Sequence, residues 1–501
     1  MRAQHHGELA DLAGMNKVTA AHRHAPPVPA VAPTPQPPPA ATAAKVYPAL
    51  PPLLDEAVAA LVRASPAMLP GLVAQYGSPL HLVWPQRLED NVRKLVAVLQ
   101  SHPMPFEIFY GAKVNKSPAL VRAAVQAGIG VDVSSLYEAG DALRAGADPT
   151  RLCATGPAKT RAFHKLLLDN ASLISVDSLQ ELQDLDHCLQ SAGAVQRARV
   201  LLRYRPQALA TSRFGMGAGD LRAGLARLAK PEARMVLEGF HFHLSGYAVE
   251  PRVQAVRELL PWVHEARRMG LNARMLDIGG GLPIRYVDTA AYSAFLAAQD
   301  GAHYRSGKVP TSFYPYGGPV DACMWMEQLL CSACTEGMTV AQALNAAGLT
   351  LAIEPGRSLV DQAAISVFRA TRVKPLADGR YVIFVEGSSF SACETWFGSE
   401  FLVDPVLVPG DGNGPRPATP QACHAYIAGH SCLDDDVLTH RWIGFARVPQ
   451  AGDLLVYANT AGYQMDLLEN EFHRHPMPRR IAVTRTAAGA MAFSPDDDRT
   501  E

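Results

Sequence analysis

Residues 107–135 read EIFYGAKVNKSPALVRAAVQAGIGVDVSS. The run EIFYGA is mostly apolar and aromatic and too short for a helix, the pattern of a buried strand. Ser117-Pro118 then reads as a helix start, because serine caps the free amides of a first turn and proline fits that turn without loss. The segment PALVRAAVQAG, Pro118 to Gly128, continues with an apolar face and stops at a glycine. A second strand, VDVSS from Val131, follows at once. At the junction of strand and helix stand Lys113 and Asn115.

The unit recurs along the chain. The further candidate strands are RLCAT from Arg151, LISVD from Leu173, ARVLLRY from Ala198, VLEGFHFH from Val236, RMLDIGG from Arg274 and LTLAIEP from Leu349. Helical segments such as SLYEAGDALRAG and VQAVRELLPWVHEARRMG lie between them. Such alternation predicts a parallel sheet, and eight units before residue 355 predict a closed (β/α)8 TIM barrel, with a doubly wound open sheet as the rival. After Arg357 the texture changes to strands without helical partners: AISVFRATRV, RYVIFVEG, QACHAYIAG, DLLVYAN and RRIAVTRTAAG. These predict a separate C-terminal antiparallel β domain, a sandwich or barrel. The expected division is a Pro/Ala-rich tail over 1–52, disordered; a helical segment over 53–78; the barrel over 79–360; and the β domain over 361–490.

Composition narrows the function. The 501 residues are 48% hydrophobic, and 46 basic against 47 acidic residues leave a formal charge of -1 with no run of either sign. That balance argues against a nucleic-acid or membrane-surface binder and for a small-molecule partner. The 8 cysteines are scattered through a long chain, which suggests reduced thiols and a cytoplasmic setting. No apolar run is long enough for a membrane helix, and the N-terminus lacks the apolar core of a secretory signal.

In a (β/α)8 barrel the strand exits form the active face. Lys113 stands at the first exit; burial among Phe109, Tyr110 and Ala112 is expected to lower its pKa and free a nucleophilic amine. The plainer reading is a surface lysine opening a loop. DIGGG, Asp277 to Gly281, offers unhindered amides to a phosphate or is only a tight turn. In IEPGRSL, Glu354 suits a cationic ring nitrogen and Arg357 a phosphate. His243, in FHFHLSG, offers a face for stacking or is a packed core histidine. Together these are the parts of a pyridoxal phosphate site.

On these motifs the sequence resembles the fold-type III pyridoxal-phosphate decarboxylases, the family of diaminopimelate, ornithine and arginine decarboxylases, over roughly residues 79–480. FYGAKVN is similar to the family's Y-A-x-K-A-N, GFHFHLSG to G-x-H-x-H-x-G-S, DIGGGLP to its glycine loop and AIEPGR to E-P-G-R. AGHSCLDDDVL resembles G-P-x-C-[DE]-x-x-D, and NTAGYQMD resembles the segment around G-A-Y. The resemblance implies an alanine racemase-like barrel plus β domain, pyridoxal 5'-phosphate as cofactor, an amino acid as substrate, and a head-to-tail homodimer with shared active sites. It implies that Lys113 holds the cofactor as a Schiff base, that Glu354 keeps the pyridine nitrogen protonated, and that His243 stacks on the ring. Gly280, Gly281, Gly356, Arg357 and Tyr463 would hold the phosphate, with Ser245 nearby and Asp132 and Arg203 bordering the cofactor. Cys432 would protonate the carbanion left by carbon dioxide, and Asp436, the motif's last aspartate, would serve the substrate.

The sequence departs from the pattern in three places. His243-Leu244-Ser245-Gly246 exchanges the small residues of His-x-Gly-Ser. Leu433 replaces the acid after the cysteine, which in relatives faces the far end of the substrate, often an ammonium, so specificity is expected to differ. The connection from about Tyr286 to Gly348 is long and aromatic enough for a lid or substrate loop. Within it Cys331-x-x-Cys334 has no matching second pair, and no metal site is expected. An amino-acid racemase and a catalytically silent, cofactor-binding regulatory homologue are the rival functions.

Overall fold

The chain enters through β1 (Leu80–Val83) and the helix Pro85–Gln100, and then all eight candidate barrel strands form. They are β2 (Phe106–Gly111), β3 (Gly130–Val133), β4 (Leu152–Ala154), β5 (Leu173–Val176), β6 (Ala198–Arg203), β7 (Met235–His241), β8 (Met275–Asp277) and, after a short hairpin of β9 (Ala333–Thr335) and β10 (Met338–Thr339), β11 (Thr350–Ile353). The structure, a computed structural model, describes residues 47–191, 197–392, 394, 398–410, 420–468, 470–486 and 488–496. Residues 1–46 of the expected tail lie outside these. Parallel pairing of β11 with both β8 and β2, in the register Leu351↔Leu276 and Leu351↔Phe106, closes the ring and excludes the open sheet. Phe109, Cys153, Leu173, Leu201 and Ala352 fill the interior with Met275 packed against them, so the barrel is a core and not a pore.

The helix after β2 forms for the reasons its sequence suggests. Ser117 caps Pro118–Gln126 by accepting from the Leu120 amide at 3.2 Å, proline occupies the first turn, and Ala119, Leu120, Val121, Ala123 and Ala124 are buried. That cap pins the chain three residues after Lys113's own one-turn helix, Ala112–Val114. Among the described residues, no single helix is long and apolar enough to cross a membrane.

The second domain is a 9-stranded, mostly antiparallel sheet. It contains β12 (Ala364–Pro375), β13 (Tyr381–Val385), β14 (Val406–Val408), β15 (Cys423–Ala428), β16 (Val437–Phe445), β17 (Leu454–Ala458), β18 (Arg479–Arg485) and β19 (Met491–Pro495). Its ninth strand is β1, antiparallel to β12 and parallel to β18. Residues 80–83, expected in the barrel, are therefore a central strand of the other domain. A strand followed by a helix reads alike whichever sheet the strand joins, so the local pattern misplaced this boundary. The tail boundary also moves. Leu50 is buried, its amide donates to Asp404 Oδ2 at 2.8 Å, and the Leu53 amide donates to the Tyr286 carbonyl at 2.7 Å, so residues 47–52 are fixed to the body. At the other end, β19 extends the domain past residue 490.

The long connection is mostly structural. Tyr286, Val287, Tyr292, Phe295, Tyr304 and Tyr316 share a core with Phe368, Phe401 and Tyr457 of the sheet domain. It continues as the helices Ala322–Cys331 and Val340–Ala346 on the barrel's outside. The stretch around Tyr314 turns toward the strand exits, where its ring meets Arg357.

Barrel closure leaves no room at one backbone position. A Cβ on Gly239 of β7 would lie 1.8 Å from the Met275 carbonyl oxygen of β8, whereas one on Gly71, in the helix Met68–Tyr76, would meet nothing within 4 Å. Gly239→Ala is expected to destabilise the protein by about 3 kcal/mol or more. Gly71→Ala is expected to stabilise it by roughly 0.5–1 kcal/mol. Urea unfolding of the two variants checks both signs.

Candidate active site

Lys113 leaves β2 on a single helical turn and points its amine at β3, where Nζ donates to Asp132 Oδ2 at 2.9 Å. Thr155, at the exit of β4, donates to the other Asp132 oxygen at 2.6 Å, so the buried carboxylate is held from both sides. Burial pushes the Lys113 pKa down, but Asp132 and then Glu354 push it up by more, and the net shift is upward. This corrects the expectation of a lowered pKa: the first-strand lysine is a paired ammonium. Its side chain remains 37% exposed, opening onto a cavity of about 620 Å³ that Arg203, His243, Ser245 and Glu354 also line.

Glu354, at the exit of β11, is buried, and its Oε1 has no hydrogen-bond partner. Around it stand His241 Nε2 at 3.7 Å, His243 Nδ1 at 3.9 Å, and Asp277 and Cys153, whose ligand atoms lie within 4.8 Å of the Glu354 carboxylate. Burial first, and then the Asp277 and Asp132 charges, raise the Glu354 pKa well above the usual carboxylate range. Asp277 is itself pushed up to about 7, chiefly by burial and partly offset by the Gly279 amide donating to it at 2.9 Å. His241 is held by Ser175, 2.6 Å from Nδ1, and burial lowers its pKa. The result is a crowd of carboxyls short of positive charge.

The glycine loop abuts this cluster. A Cβ on Gly280 would sit 2.4 Å from the Glu354 carbonyl oxygen, and one on Gly281 2.3 Å from Arg252, so only glycines fit. The Gly280 amide donates to His243 Nδ1 at 3.2 Å. Burial, and then Lys113, Arg203 and Arg252, push the His243 pKa down to about 3, leaving a neutral imidazole with a fixed acceptor nitrogen. Behind the loop, Arg252 donates to the Leu244, Gly246 and Gly280 carbonyls at 3.0, 2.9 and 3.2 Å. It thus ties the His243 turn to the glycines and sets a buried cation behind the glycine loop.

Arg357 lies between the rings of Tyr314 and Tyr463, its Cζ 3.7 and 5.1 Å from their centroids. It donates to Glu394 at 2.7 Å, while its Nε and a second terminal nitrogen have no partner. Glu394 also accepts from Gln464 at 2.9 Å and from the Tyr316 hydroxyl. Tyr463 comes from the sheet domain and donates its amide to the Val114 carbonyl at 2.9 Å, next to Lys113. Gly356 faces the Tyr463 hydroxyl, 3.5 Å from where a Cβ would be.

Two expected residues stand elsewhere. Cys432 is exposed and is not among the residues lining the Lys113 cavity of its own chain. Asp436 is buried, with Oδ1 accepting from the Ser389 amide at 2.7 Å and Oδ2 from the Ser431 amide at 3.0 Å. Each oxygen accepts a backbone amide, so Asp436 clamps the cysteine loop.

A family model described as "Pyridoxal-dependent decarboxylase, pyridoxal binding domain" matches residues 88–303. An uncharacterized Sinorhizobium fredii protein, y4yA, is 55% identical over 454 residues, covering 90% of this chain and 98% of that one. Diaminopimelate decarboxylase of Corynebacterium efficiens is 25% identical over 84% of this chain and 87% of its own. The chain belongs to the fold-type III pyridoxal-phosphate decarboxylase family. Among solved structures of this fold, M. jannaschii diaminopimelate decarboxylase with L-lysine has a TM-score of 0.66 at 17% identity, covering 86% of this chain and 92% of that chain. SrLDC with PLP and cadaverine has a TM-score of 0.62 at 18% identity, covering 84% and 93%.

The chain is thus a pyridoxal-phosphate-dependent carboxy-lyase, and its site fits that cofactor. The partnerless Glu354 oxygen, in a cluster short of positive charge, suits a protonated ring nitrogen, and the glycine loop backed by Arg252 suits a phosphate. His241, Asp277, Arg252, Thr155 and Glu394 were missed in the sequence. His241 and Asp277 lay inside quoted motifs, as the other histidine of HFH and the head of DIGGG; the rest carry no motif.

To take a cofactor aldehyde, Lys113 would first have to lose a proton, which its ion pair with Asp132 retains. Covalent loading of apoprotein is therefore expected to accelerate as pH rises through the alkaline range. Asp132→Asn should move the profile to lower pH. Absorbance after rapid mixing follows the reaction; an unmoved profile would remove Asp132 as the cause.

Proposed function

We propose that this chain decarboxylates an α-amino acid on a homodimer whose two subunits share each active site. Lys113, at the cavity edge, would hold the cofactor covalently. When bound, the cofactor supplies a sink for the electron pair left at Cα as carbon dioxide departs. Glu354, walled in by Asp277 and His241, would accept a hydrogen bond from the ring nitrogen and shield it from water. The neutral imidazole of His243 would give one ring face a flat wall, and Arg252 holds the turn and loop that would receive the phosphate. Cys432 of the partner subunit carries the proton that goes to Cα, and solvent returns a proton to the thiol.

The observation that carries this reading is the buried, partnerless Glu354 oxygen facing the same cavity as Lys113. An exposed cysteine on a clamped loop, outside its own chain's cavity, supports the shared site. The relatives crystallised with L-lysine and with PLP and cadaverine support an amino acid entering and an amine leaving.

Proton NMR of the holoenzyme in heavy water with pooled L-amino acids tests the chemistry. An amine bearing one deuterium at the former α-carbon is expected, and Lys113→Ala should abolish it. Loss of the α-proton without an amine would overturn decarboxylation in favour of racemisation. Shared sites have their own test: inactive Lys113→Ala and inactive Cys432→Ala proteins, mixed and allowed to exchange subunits, should recover roughly a quarter of native activity. No recovery despite exchange would place the whole site in one subunit.

A further inference from the structure

Two buried polar atoms inside the barrel lack hydrogen-bond partners and face each other: Nε2 of His241, at the end of β7, and Oε1 of Glu354, at the exit of β11, 3.7 Å apart. The other side of the imidazole is fixed. The Ser175 hydroxyl, on β5, lies 2.6 Å from Nδ1 and, among the described residues, has no other hydrogen-bond partner. A hydroxyl proton with one acceptor in reach goes to that acceptor, so Nδ1 accepts and the single proton of a neutral imidazole sits on Nε2. His241 stays neutral, because burial lowers its pKa and Arg203, His243, Lys113 and Lys159 all oppose a further charge. Ser175 is itself held: its carbonyl accepts from Lys159 at 2.6 Å, and Lys159 pairs with Glu181 at 2.8 Å. The result is an N–H aimed from the barrel interior at the carboxylate that would meet the ring nitrogen. The His241 and Glu354 side chains are each 1% exposed, so no loop brought to the barrel mouth by a second subunit can stand in for this donor.

We propose that His241 is a positioning residue for the proton of the cofactor ring: by donating from Nε2 it holds Glu354 ionised, so that the proton between Glu354 and the ring nitrogen stays on nitrogen. This rests on the decarboxylase reading above and names the residue that fits Glu354 for its part in it. Burial and the Asp277 and Asp132 charges favour a protonated Glu354, which would leave the ring nitrogen neutral and a poorer sink for electrons. A donor that bonds the ionised form opposes that tendency. A carboxylate oxygen accepts more than one hydrogen bond, so His241 and the ring nitrogen do not compete for it. The 3.7 Å separation is just longer than a hydrogen bond, and contacts of this kind tighten as a site fills. Donation to a charged acceptor is strong enough to move the proton equilibrium between Glu354 and the ring by about ten- to a hundredfold.

The test reads proton positions and not turnover. Holoenzyme carrying cofactor labelled with the heavy nitrogen isotope in its ring reports the protonation of that nitrogen by NMR. A protonated ring nitrogen is expected in the native protein. His241→Leu should move the signal toward that of a neutral pyridine, Ser175→Ala should move it the same way by less, and His241→Gln, which keeps a side-chain N–H, should hold it near the native position. In native protein with labelled histidine, His241 should carry its proton on Nε2. A ring signal unmoved in both His241→Leu and Ser175→Ala, an equal displacement in His241→Leu and His241→Gln, or a His241 proton on Nδ1 would each overturn the proposal. A neutral ring nitrogen in the native protein would overturn it together with the part given to Glu354. The expected ring signals in a protein that forms no amine from any amino acid would sink the decarboxylase reading and leave the role of His241 standing.

Discussion

Three carboxyl groups, Asp132, Asp277 and Glu354, are buried together at the mouth of the barrel. Charges removed from water are costly unless they are paired, so this cluster dictates much of what surrounds it. Lys113 is the cation within hydrogen-bonding reach of Asp132, and the remaining imbalance keeps protons on the carboxyls, as the raised pKa values of Glu354 and Asp277 record. A cofactor held by Lys113 would consume that charge, and a protonated ring nitrogen at Glu354 would return one. The chemistry of the cofactor is therefore prepared by an electrostatic deficit built from three strand exits.

The second domain is part of that arrangement. Tyr463 reaches from it to the Val114 carbonyl beside Lys113, and Glu394 reaches from it to Arg357. Asp496, beyond the last strand, accepts from the Ser117 hydroxyl and, at 2.8 Å, from the Ala119 amide at the helix start that follows Lys113. Since β1 comes before the barrel in the chain and pairs inside the sheet with β12 and β18, the sheet domain is not assembled from a continuous stretch. The strand-exit lysine is thus positioned in part by residues from the far end of the described chain.

What the sequence disclosed follows from what is local. Runs such as LISVD and ARVLLRY are legible because a strand buried on both faces must be apolar throughout. Lys113, Glu354 and the glycines are legible because the fold puts function at strand exits. The sheet that β1 joins, the Glu394 partner of Arg357 and the clamp role of Asp436 are settled by contacts between distant residues, which no local pattern encodes. The protonation of Lys113 was misread for a related reason. Burial was inferred from the aromatic neighbours Phe109 and Tyr110, but the deciding term was a carboxylate 19 positions away in sequence.

The exchanged residues at Ser245-Gly246 show how the same turn survives a change in order. Gly246 has φ +75°, a left-handed position that strains other residues, while open space surrounds its missing Cβ. The backbone angle, and not steric room, is thus what asks for glycine there. The Arg252 guanidinium takes both the Leu244 and Gly246 carbonyls, so the turn is anchored from behind whichever small residue stands between them. Placing the glycine second leaves Ser245 one residue earlier, where it lines the Lys113 cavity. Ser245 can border the cavity in this order because the anchor is a side chain bound to backbone oxygens, indifferent to the identity of the residue it frames.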